Sequence, residues 1–152
     1  MNLKNLLGNA LIATTLGLSI SCGVTNPEPA PGTILGTGNI EVQNFNYEDY
    51  NFQSGGESYG KVIFYYVQQW QDTEISSPYG IQYGSGNTAP VTGYTENFLD
   101  VEISKSYFFR PDSLENGFIY GRLTITKLEY NSSSMIEFDW IIQAEPDNRE
   151  FY

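Results

Sequence analysis

Near the end of the chain, Ile136, Phe138, Trp140 and Ile142 alternate with Glu137, Asp139, Ile141 and Gln143. From Thr33 onward no segment repeats its apolar residues at helical spacing. A period of two sends successive side chains to opposite faces, so this segment predicts a half-buried β-strand. One amphipathic strand cannot bury its own apolar face, and the sequence supplies companions. Phe98–Phe109 sets Leu99, Val101, Ile103 and Tyr107 against Asp100, Glu102, Ser104 and Ser106. Phe118–Tyr130 sets Ile119, Leu123 and Ile125 against Thr124 and Thr126. Turn residues separate them at Pro111–Gly117, which ends in Asn-Gly, and at Asn131–Ser134. Three such strands in a row predict an antiparallel meander with one face in a core.

The first half is less regular. Lys61–Trp70 is apolar on both faces at first, the pattern of a central strand. Ile40, Val42 and Phe45 suggest an earlier strand, set apart from it by the polar, tyrosine-rich stretch 46–60. Residues 71–97 are rich in Gly, Ser, Thr and Pro, with one short strand expected at Ile81–Tyr83; loops of that length often carry function. Gly36-Thr37-Gly38 and Gly84-Ser85-Gly86 lack a following helix or a phosphate-binding lysine and read as turns. About five to seven strands without intervening helices predict an all-β domain over 33–152. Its expected form is an antiparallel β-sandwich, immunoglobulin-like or transthyretin-like.

The first 32 residues are of another kind. Lys4 precedes an apolar run from Leu6 to Ile20, about 15 residues and too short for the roughly 20 that cross a bilayer. A positive start, a short apolar middle and small residues at the end form an export signal over 1–21. The segment that closes it, Ser19-Ile20-Ser21-Cys22, resembles the lipobox of bacterial lipoproteins, in which a small residue precedes the cysteine. That family usually has Leu three residues before the cysteine, where this chain has Ser19. The resemblance implies a diacylglyceryl group on the Cys22 thiol, cleavage before it, and attachment to a membrane. It covers only the first two dozen residues. Ser19-Ile20-Ser21 is equally a small-x-small site for the general signal peptidase, which would cut the same bond and leave a free thiol. Cys22 is the only cysteine, so no intramolecular disulfide can form, and lipidation gives the odd thiol a purpose. Gly23, and not Asp, follows it, which favours the outer membrane. Residues 22–32 carry Pro27, Pro29 and Pro31 and predict an extended tether.

Charge and missing residue types narrow the chemistry. The formal charge of −11 becomes −12 once Lys4 is removed with the signal, so phosphate backbones repel the domain and nucleic acid is not an expected partner. Anionic headgroups repel it as well, so the domain is expected to stand off the bilayer. The chain has no histidine, which excludes imidazole-based catalysis and imidazole metal sites. Among carboxylates, Glu57, Asp72, Glu74, Glu96, Asp100 and Glu102 are the candidates for a hydrolytic pair; solvated strand faces account for them, and no enzyme activity is expected. Asn46–Asn51 and Asp147–Glu150 cluster hard oxygen donors without matching a calcium-loop pattern, so neither a metal nor a cofactor is assigned.

Aromatic residues remain. Twelve tyrosines exceed what a core of this size needs, and Tyr47, Tyr50, Tyr59, Tyr79, Tyr83 and Tyr94 fall in loop-like sequence. Tyrosine offers rigid apolar area with a polar tip, which suits protein interfaces and sugar stacking. Tyr79, Tyr83 and Tyr94, on the long segment, are the expected binding residues. The expected role is that of a lipid-anchored envelope component that contacts other envelope proteins; the alternative is a surface module for glycans or another small ligand.

Overall fold

The computed structural model describes residues 28–152. The export signal, the cleavage site and Cys22 lie outside the described residues. Among the described residues eleven strands form: β1 (Thr33–Gln43), β2 (Asn46–Ser54), β3 (Glu57–Val67), β4 (Asp72–Ser76), β5 (Ile81–Tyr83), β6 (Leu99–Asp100), β7 (Ser106–Phe109), β8 (Ser113–Leu114), β9 (Gly117–Phe118), β10 (Tyr120–Tyr130) and β11 (Ser133–Gln143). A single 3₁₀ turn, Gln68–Trp70, follows β3. The chain is all-β, with every strand pair antiparallel. A five-stranded sheet of order β1-β11-β10-β7-β5 packs on a four-stranded sheet of order β2-β3-β4-β6, and β8-β9 make a small hairpin. The sandwich is therefore as expected. The strand count is higher because β6, β8 and β9 are two-residue pieces and because β2 and β4 form where no strand is expected.

β11 carries the core as its alternation predicts: Ile136, Phe138, Trp140 and Ile142 are buried between the sheets. They meet Val62, Phe64 and Tyr66 from β3, which is central in its sheet. Gly36 and Gly38 are not in a turn. They lie in β1 directly opposite Trp140 and Phe138, and a Cβ at either would collide with the facing ring. A missing side chain on an edge strand here makes room for a large cross-strand aromatic. Ile141 sits on the face expected to be polar, yet it is buried. Residues 84–98 and the C-terminal segment fold over that end of the sheet and build a second small core from Ala89, Phe108, Tyr120, Ile141 and Phe151.

Four further expectations change. Phe98–Phe109 is two strands in different sheets, not one. At Ser104 the backbone takes φ +65° and Lys105 N–H closes a turn on Glu102 O at 3.1 Å, leaving Ile103 exposed. Tyr107 clamps this corner: its hydroxyl donates to Asp100 O at 2.7 Å and accepts from Glu102 N–H at 3.0 Å, much as a tyrosine corner does in other sandwiches. Asn46–Gly60 is no separator, since β2 occupies most of it, with Phe52 buried and Tyr50 half-buried. Phe45 belongs to the corner between β1 and β2 and is exposed. β4 carries no apolar alternation because its buried positions are Thr73, Ile75 and Ser76, of which only Ile75 is apolar.

The topology gives the sandwich two ends. β1 leaves Gly32 at the N-terminal end, where β11 finishes and β10 begins. The distal end holds the β1–β2 corner, the 3₁₀ turn after β3, the start of β4 and the β10–β11 hairpin. The tether expected over 22–32 is already part of the domain by Ala30, whose N–H donates to Phe151 O at 3.0 Å.

Candidate functional site

Burial and hydrogen bonds separate the three expected tyrosines. Tyr79 and Tyr94 border one cluster at the N-terminal end, organised by Arg110. Its guanidinium lies 4.0 Å from the Tyr94 ring centre, 4.5 Å from Phe118 and 5.3 Å from Tyr120, and donates to Val91 O at 2.7 Å. Burial pushes the Tyr94 phenol up to about 12, with the Arg110 charge opposing the shift. Tyr79 is partly exposed and leans on Phe118, ring centres 6.0 Å apart. Tyr83 is elsewhere. Its hydroxyl donates to Asp100 O at 3.3 Å and its ring packs 5.3 Å from Tyr107. Burial, then Asp100 and Glu102, raise its phenol above the ordinary value. The structure thus brings Tyr79 and Tyr94 together as packing for the 71–97 segment and sets Tyr83 beside a different group of residues.

That group lies on the outer face of the four-stranded sheet. Strand register places Tyr47, Tyr65, Glu74 and Asp100 side by side across β2, β3, β4 and β6. Tyr47 and Tyr65 stack with ring centres 4.5 Å apart, and Phe98 tilts against both. Beside these rings the carboxylates of Asp72, Glu74 and Asp100 come within 4.8 Å of one another. Partial burial and then the charges of Asp72 and Asp100 hold the Glu74 carboxyl above its ordinary value. Three hard oxygens this close suit a cation, whether a metal ion or a basic side chain.

Beyond this face, at the distal tip, two aromatic side chains stand in solvent. Phe45 is 62% exposed and Trp70 70%, with Tyr47 at 57%. The backbone that presents them is unusual. Phe45 takes φ +56°, and Gln71, immediately after Trp70, takes φ +49°. Left-handed backbone is uncommon for bulky side chains and costs roughly 1–2 kcal/mol per residue. Hydrogen bonds hold both turns in place: Phe45 N–H donates to Tyr66 O and Gln68 N–H donates to the Asn44 side-chain oxygen, each at 2.8 Å. The tip is a fixed pair of turns that displays aromatic area.

The remaining candidates have local uses. Asn46–Asn51 lies in β2, where Asp49 pairs with Lys61 at 2.6 Å. Asp147 accepts Phe118 N–H at 3.0 Å and the Asn148 side chain accepts Glu150 N–H at 3.1 Å, so both cap backbone. Glu57 accepts the Tyr59 hydroxyl, and Glu102 pairs with Lys105. Sequence reasoning misses Phe45 and Trp70 because the apolar pattern places both in strands. The signal that points to them is their polar company: Phe45 lies between Asn44 and Asn46, and Trp70 between Gln69 and Gln71, where an apolar strand has run out of core to face.

No protein-family model matches this chain, and no curated protein or solved structure matches it.

Proposed function

We propose that this protein is a lipid-anchored component of the cell envelope that acts by binding other proteins and not by catalysis. In this reading Cys22 carries the lipid, the proline-rich segment after it sets the reach, and the distal end of the sandwich meets the partner. The observation that carries it is the placement of exposed aromatic area. Phe45, Tyr47 and Trp70 gather toward the end opposite Ala30, where the chain enters the domain. Exposed aromatic side chains rimmed by polar groups mark interaction surfaces. An anchored domain that contacts partners needs such a surface on the end facing away from its attachment. Tyr47 and Tyr65 cover each other's rings, which leaves less free ring face for a sugar and favours a protein partner over a glycan.

Two measurements test the reading separately. Mass spectrometry of the mature N-terminal peptide should find Cys22 acylated; an unmodified thiol removes the anchor. A photo-crosslinking residue at position 45, introduced in cells, should label a discrete envelope protein. The same group at position 114, exposed at the N-terminal end, should not. Equal labelling from both positions would remove the distal end from the reading.

A further inference from the structure

The six basic residues of the described chain are all engaged away from the carboxylates on the outer sheet face. Lys61 pairs with Asp49, Lys105 with Glu102, and Lys127 with Glu129 and Glu137. Arg110, Arg122 and Arg149 donate to the carbonyls of Val91, Gly86 and Ala89. Among the described residues, no salt bridge reaches Asp72, Glu74 or Asp100. Three like charges within 4.8 Å raise one another's energy, and the fold offers no counter-charge. The carboxylates adjoin the Tyr47–Tyr65–Phe98 rings, and a carboxylate next to an aromatic face is what a lysine or arginine side chain can satisfy at once.

We propose that this face, together with the Phe45 and Trp70 tip, is the docking site for a basic segment of a partner protein, whose lysine or arginine side chains sit on Asp72, Glu74 and Asp100. The proposal rests on the binding role above and names the chemistry of the partner. Charge complementarity selects this occupant. A second copy of the chain carries a net charge of −11 and has each of its described basic residues already engaged, so it brings repulsion and no spare cation. A nucleic acid brings more negative charge still.

Trp70 makes the test direct, because the other tryptophan, Trp140, is buried. A synthetic decapeptide of alternating arginine and glycine, titrated into the full-length mature protein, should shift Trp70 emission saturably, and the shift should be absent in Trp70→Phe. Combined Asp72→Asn, Glu74→Gln and Asp100→Asn should weaken binding about tenfold, which corresponds to three partly exposed charge pairs. If the triple variant does not fold, Asp100→Asn alone should weaken binding measurably and added salt should weaken it further. Undiminished affinity in the neutralised variants overturns the proposal, as does equal binding of a glutamate–glycine peptide. So does calcium chloride alone saturating the carboxylates and excluding the peptide, or sedimentation showing that the face buries itself in a dimer. Should the peptide fail while position 45 still crosslinks to one envelope protein, the basic partner is wrong and the binding role stands.

Discussion

The two ends of the sandwich are built on opposite terms. At the N-terminal end, most polar groups are spent on the chain itself, with the Tyr94 hydroxyl and Arg110 Nε buried without a partner. The fully buried Gln143 donates its side-chain amide to Pro31 O at 3.0 Å and Glu150 O at 2.8 Å, clasping the first and last described segments to β11. Arg149 and Ala89 exchange bonds nearby, and Arg110 sits among three aromatic rings. At the distal end the aromatics face water and the carboxylates face each other. Two residues there, Phe45 and Gln71, hold left-handed backbone that glycine would adopt without cost. The contrast separates residues that stabilise the domain from residues whose conformation costs stability, and the second class is where function concentrates.

The largest effect should come from the clasp. Gln143→Ala leaves two carbonyls without their donor and opens a cavity in a closed site. It should destabilise the domain by about 2–4 kcal/mol, read as a lower denaturant midpoint with unchanged slope. A loss under about 1 kcal/mol would mean that the N-terminal end is not the stabilising one. Arg110→Leu should cost less, about 1–2 kcal/mol, from the lost cation–π contacts and the Val91 hydrogen bond. Its signature is local: amide exchange should quicken through residues 89–95 before the sheets are affected.

How far the sequence shows this contrast depends on what each element uses as its signal. β11 was legible residue by residue, because Ile136, Phe138, Trp140 and Ile142 all face the main core. β10 was half legible. Leu123 and Ile125 point inward as read, but a bulge at Thr126 shifts the phase so that Leu128 and Tyr130 turn inward after it. β2 and β4 were missed because their inward positions include Tyr50 and Thr73, which carry hydroxyls and are covered only through pairing and packing. The Phe98–Phe109 alternation runs into the corner because Ile103 keeps the period while facing solvent, and only Lys105 interrupts it. For the candidate site, the acidic residues and tyrosines were each visible. Their meeting across four strands was not, because cross-strand register joins residues far apart in sequence.

The distal end should answer to substitution in the opposite direction. Phe45→Gly removes an exposed ring and relieves its backbone at φ +56°. Glycine's extra freedom in the unfolded chain offsets part of that gain. The domain should therefore keep its stability or gain up to about 1 kcal/mol, while crosslinking or peptide binding at the tip is lost. A destabilisation beyond 1 kcal/mol would place Phe45 among the packing residues and erase the contrast between the ends.

The smallest effect should appear in the pH dependence. Glu74 has its folded-state carboxyl raised above the ordinary value, first by partial burial and then by Asp72 and Asp100. A folded state that holds this proton more tightly than the unfolded chain is favoured as pH falls. Between the raised value and the ordinary carboxylate range near about 4.3, stability should rise as pH drops and fall as pH rises. Glu74→Gln removes the repelling charge at neutral pH. It should raise stability there by no more than about 0.5 kcal/mol and flatten this part of the profile. Lys61, whose carboxylate partner Asp49 lies on the same sheet, serves as the control: Lys61→Met removes a paired cation and should leave the Glu74 slope in place. If Glu74→Gln leaves the profile unchanged, the three carboxylates are not in conflict. The distal face would then have no electrostatic reason to seek a basic partner.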